Sequence, residues 1–265
     1  MRILFVGDVV GAPGRRIVRQ RLKRLKKDIG ADVAIVNGEN AAGGAGLTTA
    51  TAEELFAAGA DMITTGNHVW DKREVLGLIE REPRLLRPAN YPEGSPGAGV
   101  AVVSVAGTEV AVVNLMGRVF MPLLDDPFRA ADRILGELRG VARVVIVDFH
   151  AEATSEKSAF AWFLDGRVSA VLGTHTHVPT ADARVLPGGT AFISDVGMTG
   201  PFDSVIGVKK EQAIERFRTS RSIPYETAEG DVRLCAVRVD VDPATGRALA
   251  IERIELRDGE GEGER

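Results

Sequence analysis

Short runs of Val, Ile and Leu alternate along this chain with longer stretches in which apolar residues recur every three to four positions. The first pattern predicts buried strands and the second amphipathic helices. Ile3 to Gly7 reads as a strand, Ala12 to Ile29 as a helix, Val33 to Asn37 as a strand and Thr49 to Ala58 as a helix. Met62 to Thr65 and Lys72 to Glu80 repeat that order, which predicts a mostly parallel sheet with crossover helices. Gly99 to Val105 and Glu109 to Leu115, separated by Ala106-Gly107-Thr108, predict an antiparallel hairpin. Beyond it come a helix over Pro127 to Leu138, a strand over Arg143 to Asp148, a helix over Glu156 to Leu164 and a strand over Val168 to Gly173. Thr190 to Ser194, Val232 to Val241 and Ala248 to Leu256 read as further strands, with one helix near Lys210 to Phe217. The expected class is α/β, with two sheets packed face to face between helical layers.

The polar residues are placed where these runs stop. All four histidines stand at such a junction: His68 in TTGNH, His150 in VVIVDFH, and His175 with His177 in VLGTHTH. Asp8 in ILFVGD and Glu39-Asn40 in VAIVNGEN do the same. Open α/β sheets bind ligands beyond the carboxyl ends of their strands, and imidazole, carboxylate and carboxamide groups gathered there hold metal ions. His175 and His177 are two apart on a segment read as extended, so their side chains are expected to leave on one side. Asp8 and Glu39 would carry a heavy desolvation cost in a closed pocket without a cation. Helix capping is the structural alternative for these two acids. Two divalent ions against two carboxylates would leave an excess of about two positive charges, which favours hydroxide and phosphate.

Composition narrows the partners. The 265 residues carry a formal charge of −4, with a pI of about 5.7. The strongly basic footprint of a dedicated nucleic-acid binder is missing, so long DNA or RNA is not expected as a partner. The basic cluster from Arg15 to Lys27 interleaves with Ile17, Val18, Leu22 and Leu25 at helical spacing and reads as the solvated face of a helix. No run reaches the roughly 18 apolar residues of a membrane span, and Asp8 interrupts the N-terminal apolar stretch before it could act as a secretory signal. A single cysteine, Cys235, permits no internal disulfide and suits a reducing cytoplasm. One domain is expected over 1–257, followed by a disordered acidic tail over 258–265. Self-association of the chain is left open. The glycines from Gly7 to Gly14 match neither dinucleotide-binding nor P-loop spacing. Gly43-Gly44-Ala45-Gly46 offers either backbone approach to a phosphate or a plain connector.

The succession Gly7-Asp8, Gly38-Glu39-Asn40, Gly66-Asn67-His68, His150 and Gly173-Thr174-His175-Thr176-His177 resembles the calcineurin-like binuclear metallophosphoesterase superfamily, and most closely its bacterial YmdB branch. Ser194 to Pro201 also resembles that branch. The resemblance implies a four-layer α/β/β/α sandwich of two mixed sheets. It implies that Asp8, Glu39, Asn40 and His177 hold one ion and that Glu39, Asn67, His150 and His175 hold the other, with Glu39 bridging. It implies that His68 stays off the metals and protonates the leaving group. Two ions roughly 3.5 to 4 Å apart can hold a hydroxide and clamp phosphate oxygens for in-line displacement, and a histidine nearby can act as general acid.

Three departures from the broader superfamily pattern matter. The usual Asp-x-His is Asp8-Val9-Val10, so Asn40 would substitute for an imidazole; the usual bridging Asp is Glu39; and Val69 follows His68 where an acid is usual. Asp71 would then orient His68 or cap the following helix. Glu152, two residues beyond His150, would either hold an imidazole tautomer or be a surface acid, and Asp195 is a further candidate for support behind the ligands. Mixed nitrogen and oxygen ligands suit iron or manganese, with zinc third. The implied activity is a phosphodiesterase of small phosphate esters, cyclic nucleotides foremost, 2′,3′-cyclic ones in particular and 3′,5′-cyclic AMP after them. Alternatives are a broad phosphomonoesterase, a nuclease, or a regulatory scaffold whose metals are structural.

Overall fold

The computed structural model describes residues 1–259. In chain order the elements are β1 (Arg2–Val6), α1 (Gly11–Asp28), β2 (Val33–Asn37), α2 (Thr49–Ala57), β3 (Met62–Thr64), α3 (Val75–Ile79), β4 (Val100–Val105), β5 (Thr108–Met116) and α4 (Pro127–Leu138). Then follow β6 (Val144–His150), α5 (Thr154–Leu164), β7 (Ala170–Thr174), β8 (Arg184–Val185), β9 (Ala191–Ile193), β10 (Gly200–Pro201), α6 (Lys210–Thr219), β11 (Val232–Val241) and β12 (Ala248–Arg257). One sheet has the order β10-β11-β1-β2-β3 with β12 on β11, the other β4-β5-β6-β7-β9-β8. In the first, β1, β2 and β3 are parallel and β11 and β12 antiparallel; in the second, β5, β6, β7 and β9 are parallel, with β4 and β8 antiparallel.

Strand periodicity generates the layers, because successive side chains point to opposite faces. Leu4 and Val6 of β1 pack with Ile17, Val18, Leu22 and Leu55 of the outer helices. Ile3 and Phe5 of the same strand face Val110, Val112, Val144, Ile146 and Leu172 of the opposite sheet. Val145, Val147 and Phe149 then pack outward on Ile134, Leu138, Phe160 and Leu164 of α4 and α5. Three apolar interfaces separate four layers, the α/β/β/α sandwich of two mixed sheets expected from the sequence. A strand buried on both faces has no polar register, which is why these runs read as unbroken Val and Ile.

Boundaries shift modestly. The helix expected over Lys72 to Glu80 shortens to Val75–Ile79, and the two-residue strands β8 and β10 are below what periodicity can signal. Arg15 and Arg19 of the basic helix pair with Glu54 of α2 at 2.6 and 2.7 Å, so part of that face ties α1 to its neighbour. Cys235 is buried in β11, and burial pushes its thiol up to about 12. Of the segment read as a disordered tail, Asp258 donates its N–H to Val232 O and pairs with Arg16, whereas 260–265 lie outside the described residues. No helix among the described residues is long and apolar enough to cross a membrane.

Candidate metal centre

Parallel pairing puts the carboxyl ends of β1, β2 and β3 on one edge of their sheet and those of β6 and β7 on one edge of theirs. Groups leaving the two edges meet. His150, the last residue of β6, is fully buried, and its Nε2 lies 3.0 Å from Glu39 Oε1, 3.0 Å from Asn67 Oδ1 and 3.0 Å from His175 Nδ1. Ligand atoms of Glu39, His150 and His175 all fall within 4.8 Å of one another.

Hydrogen-bond partners fix what these atoms present. Thr174 donates its hydroxyl to Asp148 Oδ1 at 2.7 Å, so it accepts from His150 Nδ1 at 2.9 Å and leaves Nε2 with its lone pair. Glu152 Oε2, an acceptor only, sits 3.1 Å from His175 Nε2, which leaves the lone pair on Nδ1. His177 donates Nδ1–H to Ile206 O at 2.8 Å, and its Nε2 faces the Asn40 carboxamide at 3.1 Å. Asn40 in turn lies 3.3 Å from Glu39 Oε1. Two ring lone pairs, a carboxylate oxygen and an amide oxygen therefore aim at one point, and no single proton satisfies four acceptors. A cation does. Asp8 gives the same signal: its Oδ2 accepts from His175 N–H at 3.2 Å, while its Oδ1 is buried without a hydrogen-bond partner. The donor set fits a nitrogen- and oxygen-binding metal. Beyond Glu39, His150 and His175, no second trio of histidine and acid ligands closes to that distance among the described residues.

Electrostatics point the same way. Burial alone would raise Glu39 and lower His150, yet their mutual attraction wins: Glu39 is held at about 2 and His150 lifted to about 9, with Asp8 and Asp148 adding to the second effect. Burial raises Asp8 above its usual range against the pull of His177 and His150. Burial and the neighbouring His150 push His175 down to about 3, so its ring is neutral. The negative charge of Glu39, Asp8 and Asp148 that raises His150 is charge that a bound cation would balance.

One expectation is corrected. β7 ends at Thr174, and His175 and His177 lie beyond it with φ of 98° and 66°, not on an extended segment. Left-handed backbone at two non-glycine residues is strained, and such strain persists where surrounding contacts over-determine it. Here a buried ion pair does so. Lys157 of α5 donates Nζ to Thr174 O and Asp195 Oδ2, both at 2.8 Å, and Asp195 Oδ2 also accepts from Thr176 N–H and hydroxyl at 3.0 and 2.8 Å. Asp195 thus holds the loop between the two histidines.

Beneath the centre, Asp148 Oδ2 accepts from Asn37 Nδ2 at 3.0 Å and Thr64 Oγ1 at 2.5 Å, stitching the two sheets together. Burial raises Asp148 to about 6 against these bonds and the pull of His150. Asp148, Lys157, Asn37, Thr64 and Thr174 were not singled out from sequence. Asp148 had a usable signal, since an acid two residues before His150 in an otherwise apolar strand shares its face. Lys157 had another, standing three, four and seven residues before Phe160, Ala161 and Leu164, all of them buried in α5.

At the mouth, His68 Nδ1 lies 2.8 Å from Asp71 Oδ2, so Asp71 orients the ring and does not cap α3, whose N-cap is Glu74. The His68 N–H donates to Glu39 Oε2 at 3.1 Å. Gly66 is required by space: a Cβ there would fall 2.2 Å from His150 Cδ2 and 2.5 Å from Glu39 Oε2. A cavity of about 410 Å³ opens over the centre, bounded by Glu39, Asn40, His68, Glu152, His175 and His177 on one side. Gly43, Gly44 and Ala45 line it as well.

Two mixed sheets whose strand ends gather imidazole, carboxylate and carboxamide groups define a protein of the metallophosphoesterase fold. A 5′-nucleotidase precursor from Thermus thermophilus shares that fold, at a TM-score of 0.58 and 16% identity over 97% of this chain and 54% of its own. The chain belongs to the YmdB-like protein family, which matches residues 4–254. It is 52% identical to the 2′,3′-cyclic-nucleotide 2′-phosphodiesterase of Bacillus subtilis over 97% of this chain and 98% of that protein. It is 48% identical to a hypothetical protein from Thermus thermophilus whose crystal structure superposes at a TM-score of 0.93, covering 97% of this chain and all of that one.

Proposed function

We propose that this chain is a binuclear-metal-dependent phosphodiesterase of small phosphate esters, acting first on 2′,3′-cyclic nucleotides and second on 3′,5′-cyclic AMP. The observation that carries the reading is the convergence of lone pairs from Glu39, Asn67, His150 and His175 on one buried point beneath an open cavity. The 52% identity to a cyclic-nucleotide phosphodiesterase supports the substrate class.

Glu39, Asn67, His150 and His175 would hold one ion and Asp8, Asn40 and His177, with Glu39 shared, the other. Bound ions would polarise the phosphate and activate water, the chemistry a pair of Lewis acids contributes to phosphoryl transfer. Iron or manganese fits the nitrogen and oxygen donors, with zinc third. His68 is the general acid: Asp71 accepts the hydrogen bond of Nδ1–H and orients the ring, so that the imidazolium can deliver its Nε2 proton to the leaving oxygen. Opening a 2′,3′-cyclic phosphate breaks the bond between phosphorus and O2′, adds hydroxide to phosphorus and delivers one proton to O2′, leaving a 3′-phosphate. Glu152 and the Ile206 carbonyl keep His175 and His177 in the tautomers that present their lone pairs inward. Buried Cys235, the one thiol, suits work in a reducing cytoplasm.

The test is a panel of 2′,3′-cyclic AMP, 3′,5′-cyclic AMP, p-nitrophenyl phosphate, bis-p-nitrophenyl phosphate and single-stranded RNA, run on metal-loaded protein. Fastest turnover is expected on 2′,3′-cyclic AMP. A preference for p-nitrophenyl phosphate would make the chain a monoesterase instead, and metal binding without hydrolysis of any ester would make it a scaffold.

A further inference from the structure

The side of the cavity that faces the metal centre is apolar and comes from one excursion of the chain between β10 and β11. Ile206, Val208 and Tyr225 line it. Ile206 is 52% exposed and Tyr225 41%, an uncovered apolar surface in the same cavity as the charged groups. The excursion is pinned together by bonds from Lys209 N–H to Glu226 O at 3.0 Å and from Ala228 N–H to Gly207 O at 2.9 Å. Arg216 holds its guanidinium 4.9 Å from the Tyr225 ring centroid, which backs the ring and fixes its attitude.

Ile206 carries a φ of 48°, a left-handed conformation that a β-branched side chain adopts only under constraint. The constraint is visible: its carbonyl accepts the Nδ1 proton of His177. The apolar wall is thereby registered to the ligand set on the other side of the cavity. Of the two polar residues of the wall, Glu226 is already spent, with Oε2 2.6 Å from Lys209 Nζ and Oε1 2.9 Å from Gln212 Nε2, and the Thr227 hydroxyl is buried away from the open cavity.

We propose that Ile206, Val208 and Tyr225 form the subsite for the nucleobase of the substrate, which they hold by stacking and apolar contact without reading its edge. The inference rests on the phosphodiesterase reading above. A flat heteroaromatic ring attached to a phosphorylated ribose meets in Tyr225 the one aromatic ring, histidines aside, among the described residues that line this cavity, and a cavity of about 410 Å³ is of mononucleotide size. Base-to-aromatic stacking is worth about 1–3 kcal/mol and tolerates any base, because every base has a π-face.

The experiment compares the full-length metal-loaded protein with Tyr225→Ala and Tyr225→Phe on 2′,3′-cyclic AMP, 2′,3′-cyclic CMP and the base-free 1-O-methylribose 2′,3′-cyclic phosphate. Wild type is expected to favour both nucleotides over the base-free ester by about tenfold or more in kcat/KM and to differ little between the two bases. Tyr225→Ala should lose about tenfold more on the nucleotides than on the base-free ester, chiefly through KM, and Tyr225→Phe should recover most of that difference. Equal losses on all three substrates, or none, overturn the subsite, as does a strong preference between the bases. Wild-type turnover that ignores the base removes the subsite and leaves the phosphodiesterase reading standing. If wild type opens no cyclic phosphate, that reading falls and the subsite falls with it.

Discussion

His150 ends a strand buried on both faces, with one ring nitrogen bonded to Thr174 and the other amid Glu39, Asn67 and His175, whereas Ile206 and Tyr225 stand half-exposed on an excursion between two strands of the opposite sheet. The floor of the site is over-determined. Thr174, Asp148, Glu152 and the Lys157–Asp195 pair each dictate a tautomer or a backbone turn, so the ligand atoms are preorganised before any ion arrives. The wall is tied to that floor by one carbonyl, that of Ile206 on His177. Chemistry and recognition are therefore separable: floor changes should cost turnover on every substrate, and wall changes should sort substrates.

The largest effect is expected at the centre of the floor. His150→Ala removes the nitrogen on which both sheets converge and should lower kcat/KM by about 10³-fold or more on every ester, the equivalent of losing roughly 4 kcal/mol of transition-state stabilisation. A loss confined to one substrate would erase the distinction between floor and wall. Next in size, His68→Ala should reduce kcat by about 10²- to 10³-fold while metal content stays at the wild-type level. The deficit should shrink for p-nitrophenolate, which needs little protonation to leave; a deficit independent of the leaving group would deny His68 the role of acid.

The floor also has a pH signature. His150 lifted to about 9 from 6.5 means that the folded chain binds this proton more tightly than the unfolded chain does. That stabilisation is complete below about pH 6.5 and is lost as pH climbs through about 9. A metal entering at pH 7 must expel the proton, so the association constant should rise by about tenfold per pH unit between 7 and 9. Chelator competition at three pH values measures this, and a flat profile would mean that His150 is not a ligand. The smallest effect is expected at Glu152, exposed and one bond behind His175. Glu152→Gln should cost about tenfold or less in metal affinity, since it perturbs a tautomer and not a ligand; a loss as large as that of His150→Ala would put the carboxylate on the metal itself.

Much of the floor was legible because its residues interrupt apolar runs. Asp8, Glu39, Asn40, Asn67, His68, His150, His175 and His177 all stand where a Val- and Ile-rich segment stops, and parallel strands bring such stops to one edge. The helical and strand periods likewise pointed to two sheets between helix layers. What lay hidden depends on contacts remote in sequence. Asp148 draws its hydrogen bonds from Asn37 and Thr64, on the other sheet, and from Thr174 of β7, so nothing adjacent to it announces the partners. The spacing of Lys157 puts it on the buried face of α5, but its partner Asp195, 2.8 Å away, lies 38 residues further along the chain. The left-handed turn through His175 and His177 runs against the local preference of both residues, and it is held by contacts remote in sequence, the Lys157–Asp195 pair, Asp8 and the Ile206 carbonyl. The wall is the least legible part, since Ile206 and Tyr225 belong to no periodic element and matter only because the chain returns them to the mouth of the cavity.

The account stands on cations at the meeting of the two sheets, and metal stoichiometry reads that directly. Full-length wild type and His150→Ala, each equilibrated with iron, manganese or zinc and dialysed, can be compared by elemental analysis. The arrangement of Asp8, Glu39, Asn40, Asn67, His150, His175 and His177 predicts about two ions per wild-type chain, with at least one lost on removing His150. Wild-type protein that retains no metal yet hydrolyses cyclic nucleotides at full rate in excess chelator would contradict it.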